Sequence, residues 1–216
     1  MERFTIQRYL LFKKFPRLYD WIITAFGYKR AIGRLLNKFD FDGIVTDLGC
    51  GSGLLSIFIA KRNRNCRVIA VDKSNGLLKI LHEYTRNERI KNIDLVKADL
   101  SLGIPIKEDS LDFVVTSGLI EYIDPENLFK EVYKTIKSDG KLLVLVIRNN
   151  IFGKILGKIF GFKPHNLRYV LDLLQTSGFE EIEVMDMKDL RGLNKIKICV
   201  ISRKTTISFR DKHTEN

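Results

Sequence analysis

Val45-Thr46-Asp47-Leu48-Gly49-Cys50-Gly51-Ser52-Gly53 is the stretch on which the reading of the fold turns. A short apolar run, Ile44–Leu48, carries an acid at Asp47, meets three alternating glycines and passes directly into a helical segment of about Leu54–Arg62. Glycine suits such a junction because the chain must turn tightly and let a ligand approach its backbone. A dinucleotide-binding turn has the order GxGxxG, which would put its third glycine at position 54. This chain has Leu54 there, and its order is GxGxG.

Outward from that loop, short apolar runs alternate with helical stretches. Arg67–Val71 ends on Asp72 and leads into a helix reaching about Thr85, and Ile93–Lys97 and Leu111–Thr116 read as the third and fourth strands. Pro125 suits the first turn of a helix running to about Ile136. Ser138-Asp139-Gly140 has turn chemistry and predicts a turn into a fifth strand, Lys141–Ile147. Further on, Leu167–Thr176 reads as a helix stopped by Gly178, followed by strands near Glu181–Met185 and Lys195–Ile201, close enough to pair antiparallel. Strands alternating with helices imply a parallel sheet covered on both faces. Residues 4–38 read as two or three amphipathic helices. The division expected is a single domain over 1–204: a helical cap (1–40), a cofactor-binding core (41–148), an amphipathic insert (149–166), and a C-terminal helix with a strand pair (167–204). A polar tail follows over 205–216.

The companions of the glycine loop narrow its meaning. Asp72, closing the second strand, can accept hydrogen bonds from both hydroxyls of a ribose, as the acid of a nicotinamide enzyme also would. Lys97-Ala98-Asp99-Leu100 follows the third strand. Asp112 opens the fourth in Leu111-Asp112-Phe113-Val114-Val115-Thr116-Ser117-Gly118-Leu119-Ile120-Glu121-Tyr122-Ile123, and Lys137-Ser138-Asp139-Gly140-Lys141 precedes the fifth. Together these resemble the motifs of class I S-adenosylmethionine-dependent methyltransferases, over about residues 43–148 and more loosely over 165–203. The Lys137–Lys141 turn departs from the family's proline–glycine–glycine.

The resemblance implies a Rossmann-like α/β fold. Its seven-stranded sheet has the order 3-2-1-4-5-7-6, with strand 7 antiparallel, helices on both faces and an N-terminal helical cap. It also implies S-adenosylmethionine as cofactor, held by Asp47, Gly49, Cys50, Gly51, Gly53, Asp72, Lys73, Asp99, Leu100 and Ser117. Methyl transfer by direct displacement needs no covalent enzyme intermediate, so no catalytic residue and no metal are assigned. Tyr19, Glu121, Tyr122 and His165 are the polar groups placed on the acceptor side. Each also has an ordinary structural reading, as a solvated acid, a core tyrosine with a wet tip or a surface turn residue.

The acceptor is bounded by charge and composition. The chain carries a net charge of +11, and the excess is local: residues 1–40 hold nine Lys/Arg against three Asp/Glu, and residues 148–168 hold five against none. In Ile151-Phe152-Gly153-Lys154-Ile155-Leu156-Gly157-Lys158-Ile159-Phe160-Gly161 the apolar side chains share one side of a helical wheel, with both lysines and all three glycines on the other. Each glycine costs about 1 kcal/mol relative to alanine, so this helix needs a surface to lie on. The protein's own core is one such surface. An anionic membrane face is another, and Tyr9–Phe26 offers a second segment of that kind.

Leu18-Tyr19-Asp20 through Gly27-Tyr28-Lys29-Arg30 bears a faint resemblance to the N-terminus of methyltransferases acting on isoprenoid quinones. The expected partner is therefore a small-molecule or lipid acceptor, with peripheral contact to anionic membrane. No apolar run reaches the roughly 18–20 residues of a membrane span, and Cys50, Cys66 and Cys199 form no CxxC pair. A cytoplasmic protein, peripheral on a membrane surface, is the expected setting.

Basic clusters also suit phosphates, so an RNA methyltransferase or nucleic-acid-binding protein is the competing reading. It is disfavoured by the lack of a [DN]PP[FYW] motif after strand four and of a Pro-Cys nucleophile. A nicotinamide oxidoreductase fits poorly with Leu54 and the missing Tyr-x-x-x-Lys pair. A cofactor-binding protein without transferase activity stays open at this level.

Overall fold

The structure, a computed structural model, describes residues 28–185, 187, 190 and 193–205. The expectations for residues 4–27, including Tyr19 and the Tyr9–Phe26 face, and for the tail beyond 205 lie outside the described residues.

Five parallel strands and an antiparallel pair form one sheet in the order β3-β2-β1-β4-β5-β7-β6. The strands are β1 (Ile44–Leu48), β2 (Arg67–Asp72), β3 (Ile93–Lys97), β4 (Leu111–Ser117), β5 (Ile136–Ile147), β6 (Glu180–Met185) and β7 (Lys197–Arg203). The helices are α1 (Tyr28–Leu36), α2 (Leu54–Arg62), α3 (Asn75–Asn87), α4 (Pro125–Thr135), α5 (Ile151–Phe160), α6 (Leu167–Thr176) and a single turn, α7 (Leu193–Ile196). The order and the antiparallel seventh strand match the expectation from sequence.

Side-chain alternation along the central strands feeds two cores. Val114, Leu142, Val144 and Val146 face one core with Phe129, Val170 and Phe179 from the α4–α6 side, while Phe113, Val115, Leu143 and Leu145 face the other with Ile32, Leu35 and Ile59 from α1 and α2. A third, smaller cluster seats α3 on β2 through Leu78, Leu81 and Ala70.

Two expectations need correction. Ser138-Asp139-Gly140 does not separate β5 from α4; these residues lie within β5 as an irregularity, where Leu111 pairs with Ile136 and Phe113 with Lys141. Asp139 takes a left-handed backbone at φ 65°, and the chain stays in the sheet because Asp139 N–H donates to the Lys204 carbonyl and Lys204 N–H to that of Gly140. At the other end, Lys195 and Ile196 belong to the α7 turn, so the last strand starts at Lys197 rather than Lys195.

The surface on which α5 lies, left open by the sequence, is decided by its glycines. Its glycine side faces the protein, not its apolar side. A Cβ on Gly153 would meet the Arg148 carbonyl oxygen at 1.8 Å, and one on Gly157 the Phe162 carbonyl oxygen at 2.5 Å. Only glycine allows this approach, and it leaves Ile151, Phe152, Ile155 and Ile159 between 48% and 65% exposed. No helix among the described residues is long and apolar enough to cross a membrane.

Candidate functional site

The glycine loop leaves β1 at the carboxyl edge of the sheet and is fixed there by its neighbours. Gly49 and Cys50 N–H both donate to the Val71 carbonyl of β2, at 2.8 and 3.0 Å. Gly51 N–H donates to Asp72 Oδ2 at 2.9 Å, and Ser74 N–H to Asp72 Oδ1 at 2.8 Å, so one carboxylate ties the loop to the start of α3.

The glycines serve different ends. Gly53 has φ 86° and a Cβ there would lie 2.3 Å from Leu81, so it permits helix packing. Gly51, at φ 56°, would meet nothing within 4 Å, so its face is open for a ligand.

Asp47 sits beneath the loop, 2% exposed, accepting from Ser56 Oγ at 2.6 Å and Ser56 N–H at 3.1 Å through Oδ2. Burial pushes its carboxyl up to about 6, partly offset by the Ser56 hydrogen bonds, with Asp72 adding repulsion. A buried acid of this kind favours a cationic partner. The Cys50 thiol is pushed strongly upward by burial and by the two nearby carboxylates, so it serves as wall and not as nucleophile.

A cleft of about 340 Å³ opens over this loop, lined by Asp47, Gly49, Cys50, Gly51 and Ser117 together with Lys29, Phe58 and Tyr84. An open backbone face, a buried acid beneath it and a carboxylate at the end of the next strand fit a ligand with an ammonium and a ribose.

Comparison with known proteins identifies the domain that carries this loop. The family model described as "Methyltransferase domain" matches residues 45–140, from β1 into β5. Residues 45–140 are therefore a methyltransferase domain, and these matches support the class I S-adenosylmethionine-dependent methyltransferase family. An (S)-coclaurine N-methyltransferase of Thalictrum flavum subsp. glaucum is 30% identical over 110 residues, 50% of this chain and 30% of that protein. A carboxy-S-adenosyl-L-methionine synthase of Nautilia profundicola is 26% identical over 179 residues, 68% of this chain and 73% of the relative. The chain thus spans under a third of the first relative's length and nearly three quarters of the second's. A SAM-dependent methyltransferase structure from Thermotoga maritima superposes with a TM-score of 0.71 at 18% identity, covering 91% of this chain and all of the other.

Within this methyltransferase fold the residues singled out from sequence separate into groups. Asp47, Gly49, Cys50, Gly51 and Ser117 converge on the cleft, and Asp72 touches its loop. Asp99 follows β3, accepts from Ser101 Oγ at 2.7 Å and Ser101 N–H at 3.1 Å, and is held below the usual carboxylate range chiefly by those bonds. Lys73 Nζ lies 3.8 Å from Asp99 in an exposed pair, which contributes little. The Leu100 side chain packs into the core, so only its backbone is available to a ligand.

The acceptor-side residues also divide. His165 Nε2 donates to the Ile120 carbonyl at 2.9 Å and its ring stacks on Tyr169, which makes it a structural tie. Tyr122 is exposed and meets Phe162 edge-on. Glu121 is buried: Oε1 accepts from Ile147 N–H at 2.7 Å, whereas Oε2 is enclosed without a hydrogen-bond partner.

Sequence reading missed Ser56, Lys29, Phe58, Tyr84 and Lys197. Ser56, in the first turn after a GxGxG loop, was within reach of a local pattern; Lys197 comes from the far end of the chain and had no local signal.

Proposed function

We propose that this chain transfers the methyl group of S-adenosylmethionine to a small lipophilic acceptor drawn from an anionic membrane surface. The observation that carries the lipophilic part is the orientation of α5. Its glycines press it onto the protein, and its outer side offers Ile151, Phe152, Ile155 and Ile159 beside the exposed Lys154 and Lys158. Apolar side chains flanked by lysines form the face of an interfacial helix, and residues 148–168 contain no acid to repel an anionic surface. Only three residues separate the helix from the end of β5, at the same sheet edge as the cleft. The relative named for coclaurine methylation supports a small organic acceptor.

In this reading the Gly49–Gly53 loop receives the amino-acid end of the cofactor, Asp47 supplies charge to its ammonium, and Asp72 accepts from the ribose hydroxyls. A bound cofactor would supply an activated sulfonium methyl, whose carbon–sulfur bond would break, the electron pair staying on sulfur, as the acceptor–carbon bond forms. The chain's part is to orient and to exclude water, and orientation of this kind is worth on the order of 7–11 kcal/mol.

The test has two arms. The protein is mixed with vesicles of phosphatidylglycerol and phosphatidylcholine at low salt, and an extracted lipid pool is incubated with it and methyl-labelled S-adenosylmethionine. Co-sedimentation and label in the organic phase are expected. Salt-sensitive RNA binding without vesicle binding, or label in nucleic acid, would replace this reading with the nucleic-acid one. The carboxy-S-adenosyl-L-methionine synthase relative favours a second reading, in which the cofactor is itself the species modified. Mass spectrometry of the recovered cofactor distinguishes the two.

A further inference from the structure

Antiparallel β7 brings its first residue to the edge where the parallel strands end. Lys197 therefore pairs with Ile147, the last residue of β5, and its side chain reaches past β5 to the end of β4. Its Nζ lies 3.2 Å from Ser117 Oγ and 3.4 Å from the Leu145 carbonyl oxygen, and the residue is only 6% exposed. Among the described residues it makes no ion pair. A buried ammonium with two long hydrogen bonds to neutral oxygens is undercompensated, and such charges are normally paired.

Its neighbours leave one approach to it uncovered. Gly118 has φ 74°, and the one atom within 4 Å of a Cβ built there is Lys197 Nζ, at 3.2 Å. Any larger residue would project over the ammonium; glycine leaves that approach open. Ser117, the hydroxyl partner, lines the cleft. Close by, Glu121 Oε2 is buried without a partner, while its other oxygen holds Ile147 N–H, the backbone directly opposite Lys197. The strand order supplies direction: with the glycine loop on β1 and Asp72 on β2, the side of the site left for an acceptor is that of β4, β5 and β7.

We infer that Lys197 is the acceptor-binding cation of this site, selecting an acceptor that carries an anionic oxygen (a carboxylate or a phosphate) beside Ser117 and Gly118. This rests on the methyl-transfer reading above and adds the charge of the acceptor to it. Lys197 binds and positions; it takes no proton in this role. The anionic group anchors the polar end, and the apolar remainder extends toward α5.

Calorimetry with benzoate, phenyl phosphate and neutral benzyl alcohol tests it, on wild type and K197M, each with and without saturating S-adenosylhomocysteine. At least one anion should bind the loaded wild type, benzyl alcohol should not, and K197M should bind that anion at least tenfold more weakly. Affinity for S-adenosylhomocysteine should stay within twofold, and the variant's Tm should be equal or higher. Which anion binds identifies the acceptor's group. Equal anion affinity in K197M, or no binding of either anion to wild type, overturns the proposal. Failure of S-adenosylhomocysteine itself to bind would instead remove the methyl-transfer reading. Should K197M fold poorly, the 15Nζ resonance of Lys197 in wild type decides: it shifts on adding the anion if the assignment is right and stays in place if it is wrong.

Discussion

Over β1 and β2 the polar groups at the sheet edge already satisfy one another, whereas over β4, β5 and β7 they do so only in part. On the first side Asp72 accepts from Gly51 and Ser74, and Asp47 from Ser56. On the second, Glu121 keeps one oxygen without a partner and Lys197 has only neutral, distant acceptors. On the function proposed above, the half that takes the cofactor is organised before any ligand arrives, which lowers the ordering cost of binding. The acceptor half carries unmet charge, which raises selectivity at a cost in stability. Buried groups awaiting a partner are where a site distinguishes one ligand from another.

If that contrast is right, damage to the organised half should be felt most in cofactor affinity. Asp72→Ala removes a charged acceptor that binds both the loop and, when bound, the ribose. Calorimetric affinity for S-adenosylhomocysteine should fall about 100-fold, as expected for two charge-assisted hydrogen bonds of about 1.5 kcal/mol each. An affinity within threefold of wild type would mean that the loop does not depend on this acid.

Asp47 gives the next largest effect and a pH signature. Its carboxyl is raised by burial to about 6 from an ordinary 3.8. The stability linked to its protonated form is therefore complete below about pH 4 and lost as pH rises through about 6. The loss is about 3 kcal/mol at most, taking 1.36 kcal/mol per unit. Asp47→Asn, with no charge to bury, should unfold at higher denaturant than wild type above pH 6 and lose that advantage near pH 4. Wild-type cofactor affinity should weaken below pH 6 as the acid is neutralised, and the variant should lack this dependence.

Gly153→Ala probes the packing that turns α5 outward. A methyl 1.8 Å from the Arg148 carbonyl forces the helix off its seat, at about 2 kcal/mol in chemical denaturation, since overpacking typically costs 1–3 kcal/mol. An unchanged midpoint would show that the helix does not lie where it is placed. The smallest effect on stability, under about 0.5 kcal/mol, is expected of the double change Phe152→Glu with Ile155→Glu, because both side chains are exposed. Vesicle co-sedimentation should nevertheless disappear while S-adenosylhomocysteine affinity holds.

The same divide explains what the sequence disclosed. The cofactor half is written in consecutive residues, since Asp47 through Gly53 and the strand and helix flanking them form one local unit. Asp72 sits at the end of the next strand, where its spacing could be counted. The acceptor half joins Ser117 to Lys197 across 80 residues, and no local spacing encodes that meeting.

A helical wheel placed the glycines and apolar residues of α5 on opposite sides correctly, but it cannot say which side meets the protein. That depends on how closely the Arg148 and Phe162 carbonyls approach. Ser138-Asp139-Gly140 misled for a related reason. Its residues suit a turn, yet backbone hydrogen bonds with Lys204 keep the strand continuous through a local irregularity. There a tertiary contact overrode a local preference, and at α5 one decided between two surfaces that the sequence left open.

Titration calorimetry of ligand-stripped protein with S-adenosylhomocysteine at pH 8 and pH 5.5 tests the reading of the glycine loop most directly. Saturable one-to-one binding is expected, tighter at pH 8, and largely lost in Asp72→Ala. No uptake of S-adenosylhomocysteine or S-adenosylmethionine at either pH would contradict the assignment of the Asp47–Gly53 loop as the cofactor cradle.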